Sequence, residues 1–89
     1  MIRSKIKIVN KLGLHARAAA KFAKCASRFS STIEIGNEER IVDGKSIMSV
    51  MTLAAGRGTM LQLTITGSDE EAANSELTEL AKSYFGEKD

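Results

Sequence analysis

"TMLQLTITG", residues 59–67, sets Leu61, Leu63 and Ile65 on one side of an extended chain and Gln62, Thr64 and Thr66 on the other. A period of two with one polar side describes a strand that is dry on a single face, the pattern of an antiparallel sheet with water on its far side. The same alternation sets Ile6 and Ile8 against Lys5 and Lys7 in "MIRSKIKIV" (1–9). "STIEIGNEERIVDG" (31–44) reads as two further short strands around a Gly36-Asn37 turn, with Asp43-Gly44 closing the second.

Between these strands the period changes. Over residues 16–29, Ala19, Phe22, Ala26 and Phe29 recur every three or four positions, which predicts a helix with one apolar face. "SIMSVMTLAAG" (46–56) predicts a shorter helix with Ser46 as N-cap and Gly56 near its end. A third helix is predicted to start at a Ser68-x-x-Glu71 capping box and to bury Ala73, Leu77, Leu80, Ala81 and Tyr84. The acidic residues of its first turn and Lys82 near its end suit the helix dipole. The order β-α-β-β-α-β-α predicts an α+β open-faced β-sandwich, a four-stranded antiparallel sheet with three helices on one face. Pattern alone leaves the strand order open, and a ferredoxin-like domain with an added helix produces the same string.

Length and composition narrow the function. Eighty-nine residues support one small domain, 1–89, with 43% hydrophobic and 27% charged residues, the balance of a globular chain. A net charge of +2 argues against a general nucleic-acid binder, and no apolar run reaches the roughly 18 residues of a membrane span. With Cys25 the only cysteine, no internal disulfide forms. These features predict a soluble, cytoplasmic monomer. No metal-ligand cluster, glycine-rich nucleotide loop or catalytic triad is legible, so neither cofactor nor metal is expected, and the chain is not expected to be an enzyme by itself.

The only histidine, His15, falls in "NKLGLHARAAAKFAK" (10–24), where the first helix begins. Free backbone N–H groups and the positive end of the dipole disfavour an imidazolium there and welcome an anion carried on a ring nitrogen. Arg17 can reach that anion with a forked guanidinium, Gly13 lets the loop approach closely, and Leu14 can anchor it. These groups suit a phosphoryl group bound covalently and passed on, although a single histidine beside a helix start is more often a cap or a surface residue.

"GLHARAAA" (13–20) resembles the active-site signature of the HPr family, histidine-containing phosphocarriers of the bacterial phosphoenolpyruvate-dependent phosphotransferase system. "GKSIMSVMTLAAGRG" (44–58) resembles that family's second, regulatory-serine motif, and spacing, element order and chain length agree over essentially the whole chain. The resemblance implies phosphorylation of His15 at Nδ1 by enzyme I, with phosphoenolpyruvate as the source, and transfer to enzyme IIA-type proteins. It also implies phosphate contact by Arg17 and, in some lineages, modification of Ser46 by a dedicated serine kinase/phosphorylase. Ala18 stands where the family often has proline, a change that a helix's first turn tolerates.

Arg17, Lys21, Lys24 and Arg28 form a basic stripe on the first helix, suited to an acidic docking partner. Ile47, Met48 and Met51 give the second helix more apolar positions than one core-facing stripe requires, and one or two of them are expected to join an exposed contact patch. Two other functions fit less well. One is a regulatory paralogue acting in a nitrogen-related branch or through Ser46; the other is a small ferredoxin-like binding module in which His15 is incidental.

Overall fold

The computed structural model describes residues 1–89. Four strands, β1 (Ile2–Lys7), β2 (Thr32–Gly36), β3 (Ile41–Asp43) and β4 (Met60–Thr66), form one antiparallel sheet in the order β1-β4-β2-β3. Three helices cover one face: α1 (Ala16–Ser27), α2 (Ile47–Met51) and α3 (Glu70–Lys82). A 3-10 turn, Tyr84–Gly86, follows α3. β4 lies between β1 and β2, so β1 and β2 run parallel with a strand between them, and β3 and β4 do the same around β2. Two interleaved split β-α-β crossovers result, and both helices that make the crossovers lie on the same face.

Register follows from the alternation. Ile6 pairs with Leu61, and Ile33 and Ile35 pair with Ile65 and Leu63, so these six side chains point toward the helices, while Ile41 and Met60 stay exposed. The six pack with Ala18, Ala19, Phe22 and Ala26 of α1 and Ala73, Leu77 and Ala81 of α3 in one continuous core. Lys5, Lys7, Glu34, Gln62 and Thr66 occupy the wet face. The turn between β2 and β3 depends on Asn37, whose side-chain oxygen accepts from the backbone N–H of Glu39 and Arg40 at 2.8 and 2.9 Å.

Helix ends depart from the sequence expectation in four places. Arg28 already caps α1, although Phe29 beyond it stays buried. α2 stops at Met51, capped by Thr52, well short of Gly56. The Ser68-Glu71 capping box does not form: the N-cap is Asp69, and Glu70 accepts from the backbone N–H of Gly67 at 3.0 Å. Tyr84 lies beyond the end of α3 with a positive φ of 61° and is exposed, while the next residue, Phe85, is fully buried. Asp69 makes no side-chain cap bond of its own, because its carboxylate is engaged elsewhere. Its carboxylate accepts from the backbone N–H of Ser30 at 2.9 Å and of Ser31 at 3.0 Å, and from both hydroxyls, tying the start of α3 to the entry of β2.

Those donors, above all the Ser31 hydroxyl, hold the Asp69 carboxyl down from 3.8 to about 2. The folded carboxyl binds its proton more weakly than the unfolded one, so its contribution to stability is complete above pH 3.8 and is lost as the pH falls toward 2. Glu70 and Glu87 are also lowered and steepen the same acid limb. Thermal melts across this window should show Tm falling with pH, and Asp69→Asn should flatten part of the fall. A variant with the full wild-type acid slope would show that the Asp69 clamp is not a source of it.

Candidate functional site

The approach to α1 is built by close backbone contact. Gly13 holds φ at +70°, and a Cβ there would meet the Ala55 carbonyl oxygen at 2.5 Å and the Gly56 Cα at 2.9 Å. Glycine therefore allows the chain to lie directly on the loop that follows α2. The neighbouring Leu14 N–H donates to the Ala55 carbonyl at 2.9 Å, and its side chain is buried. Asn10, fully buried, donates from Nδ2 to the Gly13 carbonyl at 2.8 Å and braces the loop from within.

His15 emerges from this brace as the N-cap of α1, with extended backbone angles. Its carbonyl accepts the first helical bond, from Ala19 N–H at 2.8 Å, and its Nδ1 accepts from the Arg17 backbone N–H at 3.3 Å. The ring nitrogen thus does the work that a serine or aspartate oxygen does at most N-caps. Ala18, in the first turn, is fully buried in the core.

The opposite ring nitrogen has a partner that the sequence reading did not find. Glu87 Oε2 lies 2.5 Å from His15 Nε2, and Glu87 Oε1 accepts from Asn10 Nδ2 at 2.9 Å. Seventy-two positions separate Glu87 from His15, and the return path is made by residues 84–86. Tyr84 and Phe85 both take positive φ, Phe85 plugs the core, and its carbonyl accepts from Lys21 Nζ at 2.8 Å. Hydrogen bonding by Asn10 holds the Glu87 carboxyl below its ordinary range, with burial opposing it and His15 and Lys21 reinforcing it. "GEKD" at 86–89 looks like a solvated tail; a buried phenylalanine just after a helix is its one signal of return.

The basic stripe divides. Arg17 is exposed and lines an open cleft of about 510 Å³ together with Lys11, Leu12, Lys21, Glu87 and Lys88. Lys21 is half-buried and held by the tail, and Lys24 is exposed near the end of α1. Arg28 turns toward α3, pairing with Glu76 at 3.1 Å. Of the α2 residues, Met48 is 74% exposed and Ile47 43%, whereas Met51 packs against the core. Leu12, 68% exposed on the loop before His15, adds an apolar side chain that the sequence reading did not include. Ser46 caps α2, its hydroxyl accepting from Ser49 N–H at 3.2 Å. His15 Nδ1 therefore faces the first turn of α1, with Arg17 two residues along the chain, and a ring nitrogen at a helix start can carry a small dianion.

Comparisons with known proteins agree over nearly the whole chain. A family model described as "PTS HPr component phosphorylation site" matches residues 2–83. The chain is 48% identical over 87 residues to the phosphocarrier protein HPr of Neisseria meningitidis, covering 98% of each. It is 54% identical over 83 residues to that of Pseudomonas aeruginosa, covering 92% of each. Among solved structures, an HPr from Thermoanaerobacter tengcongensis superposes with a TM-score of 0.94 at 44% identity, covering 99% of both chains. A dimeric HPr structure from the same organism gives 0.78 at 45% identity, covering 98% of this chain and all of the other. The strand order common to such structures is thus the one adopted here, and the ferredoxin-like alternative is set aside.

Proposed function

The chain belongs to the HPr family of phosphocarrier proteins of the phosphotransferase system, and on that premise we propose that His15 is its phosphoryl acceptor and donor. In this reading Nδ1 takes the group from a phosphohistidine on an enzyme I-type protein, with phosphoenolpyruvate as the ultimate source. It then gives the group to an enzyme IIA-type acceptor. The observation that carries the reading is the N-cap geometry of His15, with Nδ1 facing the Arg17 amide. A dianion on that nitrogen replaces a weak cap by charge-assisted bonds to the first-turn amides, and the N–P bond stays labile enough to pass on. The carrier works as a single domain and a cytoplasmic monomer, with partners supplying the rest of the chemistry.

Incubation with enzyme I and phosphoenolpyruvate is the direct test. One added phosphoryl mass, lost in acid and kept in alkali, supports the reading; an acid-stable adduct or none refutes it.

Arg17 is the proposed phosphate contact, its guanidinium free at the rim of the cleft. Arg17→Ala should slow phosphorylation of His15 on the order of tenfold or more, as loss of one charge-stabilising donor does. Arg17→Lys should recover only part, because an ammonium lacks the planar fork. Quench-flow rates that are equal for Lys and Arg at this position would reduce its role to net charge.

Partners are proposed to dock on exposed Ile47 and Met48 and on the basic residues Lys21, Lys24 and Arg28, with Met51 supporting the patch from the core side. Lys24 is the most available of the three cations, since Lys21 and Arg28 already have partners within the chain. Ser46 is proposed as a regulatory site: a phosphate there suits the start of α2 yet brings negative charge beside Ile47 and Met48, where an acidic partner would sit.

A further inference from the structure

His15 is hydrogen-bonded at both ring nitrogens, and the two bonds have opposite senses. At Nδ1 the partner is a backbone N–H, which can only donate, so Nδ1 must present its lone pair. At Nε2 the partner is a carboxylate oxygen, which can only accept, so Nε2 must carry the proton. Asn10 fixes the carboxylate in turn through its other oxygen, and Asn10 is itself anchored on Gly13, two residues before the histidine. The tail that delivers Glu87 is locked by the burial of Phe85 and by Lys21 on its carbonyl.

We infer that Glu87 is the positioning residue of His15: its carboxylate holds the Nε2 proton, fixes the ring tautomer, and leaves Nδ1 as the only nucleophilic nitrogen. The inference rests on the reading of His15 as phosphoryl acceptor. In transfer the Nδ1 lone pair forms the N–P bond while the bond from phosphorus to the donor's nitrogen breaks, its electron pair leaving with the donor imidazole. No proton leaves the ring, so the phosphorylated ring carries a positive charge with its hydrogen still on Nε2. Glu87 compensates that charge from the ring edge opposite the phosphorus, the arrangement by which a carboxylate supports a working histidine elsewhere. On the return step the N–P bond breaks and its pair goes back to Nδ1. The carboxylate's own charge is balanced by Lys21, with Lys11, Arg17 and Lys88 around the same cleft and Asp89 opposing them.

With one histidine in the chain, long-range ¹H–¹⁵N NMR at a pH where the ring is neutral reads its two nitrogens without overlap. Wild type is expected to show a bare Nδ1 and a protonated Nε2 before any donor is added. Glu87→Ala should average the two nitrogen shifts, and its phosphorylation by enzyme I and phosphoenolpyruvate should slow by about 10–100-fold, the loss seen when the carboxylate partners of metal-binding histidines are removed. Glu87→Gln keeps an oxygen for Nε2, so it should restore the tautomer and part of the rate. Either readout at its wild-type value in Glu87→Ala overturns the inference. A wild-type protein that takes up no phosphoryl group overturns the acceptor reading itself; a phosphorylated wild type beside an equally fast Ala variant overturns only the role of Glu87.

Discussion

His15→Ala is expected to eliminate phosphoryl uptake from enzyme I while leaving a folded protein. No other imidazole exists in the chain to take over. The hydroxyl and carboxylate side chains nearby cannot form the labile N–P bond on which onward transfer depends. The structural cost should be small because the ring's cap bond to Arg17 N–H is long, at 3.3 Å. Loss of an N-cap costs about 0.5–2 kcal/mol, and Leu14 and the Gly13–Ala55 contact still hold the loop. For a domain of this size the melting temperature should fall by roughly 4–8 °C per kcal/mol. Mass spectrometry after incubation with the donor, beside circular-dichroism melts, separates the two effects. A folded alanine variant that still acquires acid-labile phosphate would falsify the assignment.

Phe85→Ala should produce the largest stability change at any position near the site. The ring is fully buried and belongs to the same core as Phe22 and Leu77. Truncating a buried phenylalanine costs about 3–5 kcal/mol, from lost transfer energy and from the cavity left behind. That is a large part of the 5–15 kcal/mol that holds an ordinary domain together. The substitution also loosens the carbonyl that anchors Lys21 and the path that carries Glu87 to His15. Denaturant unfolding should therefore show a much lower midpoint with little change in slope. Phe85→Leu, which keeps most of the volume, should lose less than about half as much. An alanine variant within about 1 kcal/mol of wild type would show that residues 84–87 are not held by the core.

The contrast between strands and tail explains what was legible in the sequence. Ile6, Ile33, Ile35, Leu61, Leu63 and Ile65 announce themselves because a strand's period is local, and all of them face the helices. His15 was legible for a similar reason: the change of period beside it marks a helix start, and helix starts have a defined electrostatic character. Two families of contacts were not legible. Asp69 takes the N-cap position expected of Ser68 and binds Ser30 and Ser31, 39 and 38 positions away, which no window of sequence contains. Glu87 reaches His15 only because two non-glycine residues, Tyr84 and Phe85, accept a left-handed backbone that propensity disfavours. The energy that holds them there comes from burial of Phe85, a tertiary quantity. The pairing of Arg28 with Glu76 of α3 was equally illegible, since the period of one helix says nothing of its neighbour.

The position of β4 between β1 and β2 bears on how the chain reaches this state. Ile2 pairs with Ile65, so β1 has no neighbour until residues 60–66 exist. Earlier in synthesis only the β2–β3 hairpin can form, two short strands that are marginal without further support. The edges of β1 must wait unpaired, and unpaired edges invite association. Such long sequence separations carry a loop-closure cost before any contact repays it. When β4 arrives it completes two ladders at once, and the sheet, the helical layer and the brace beneath His15 become a single cooperative event.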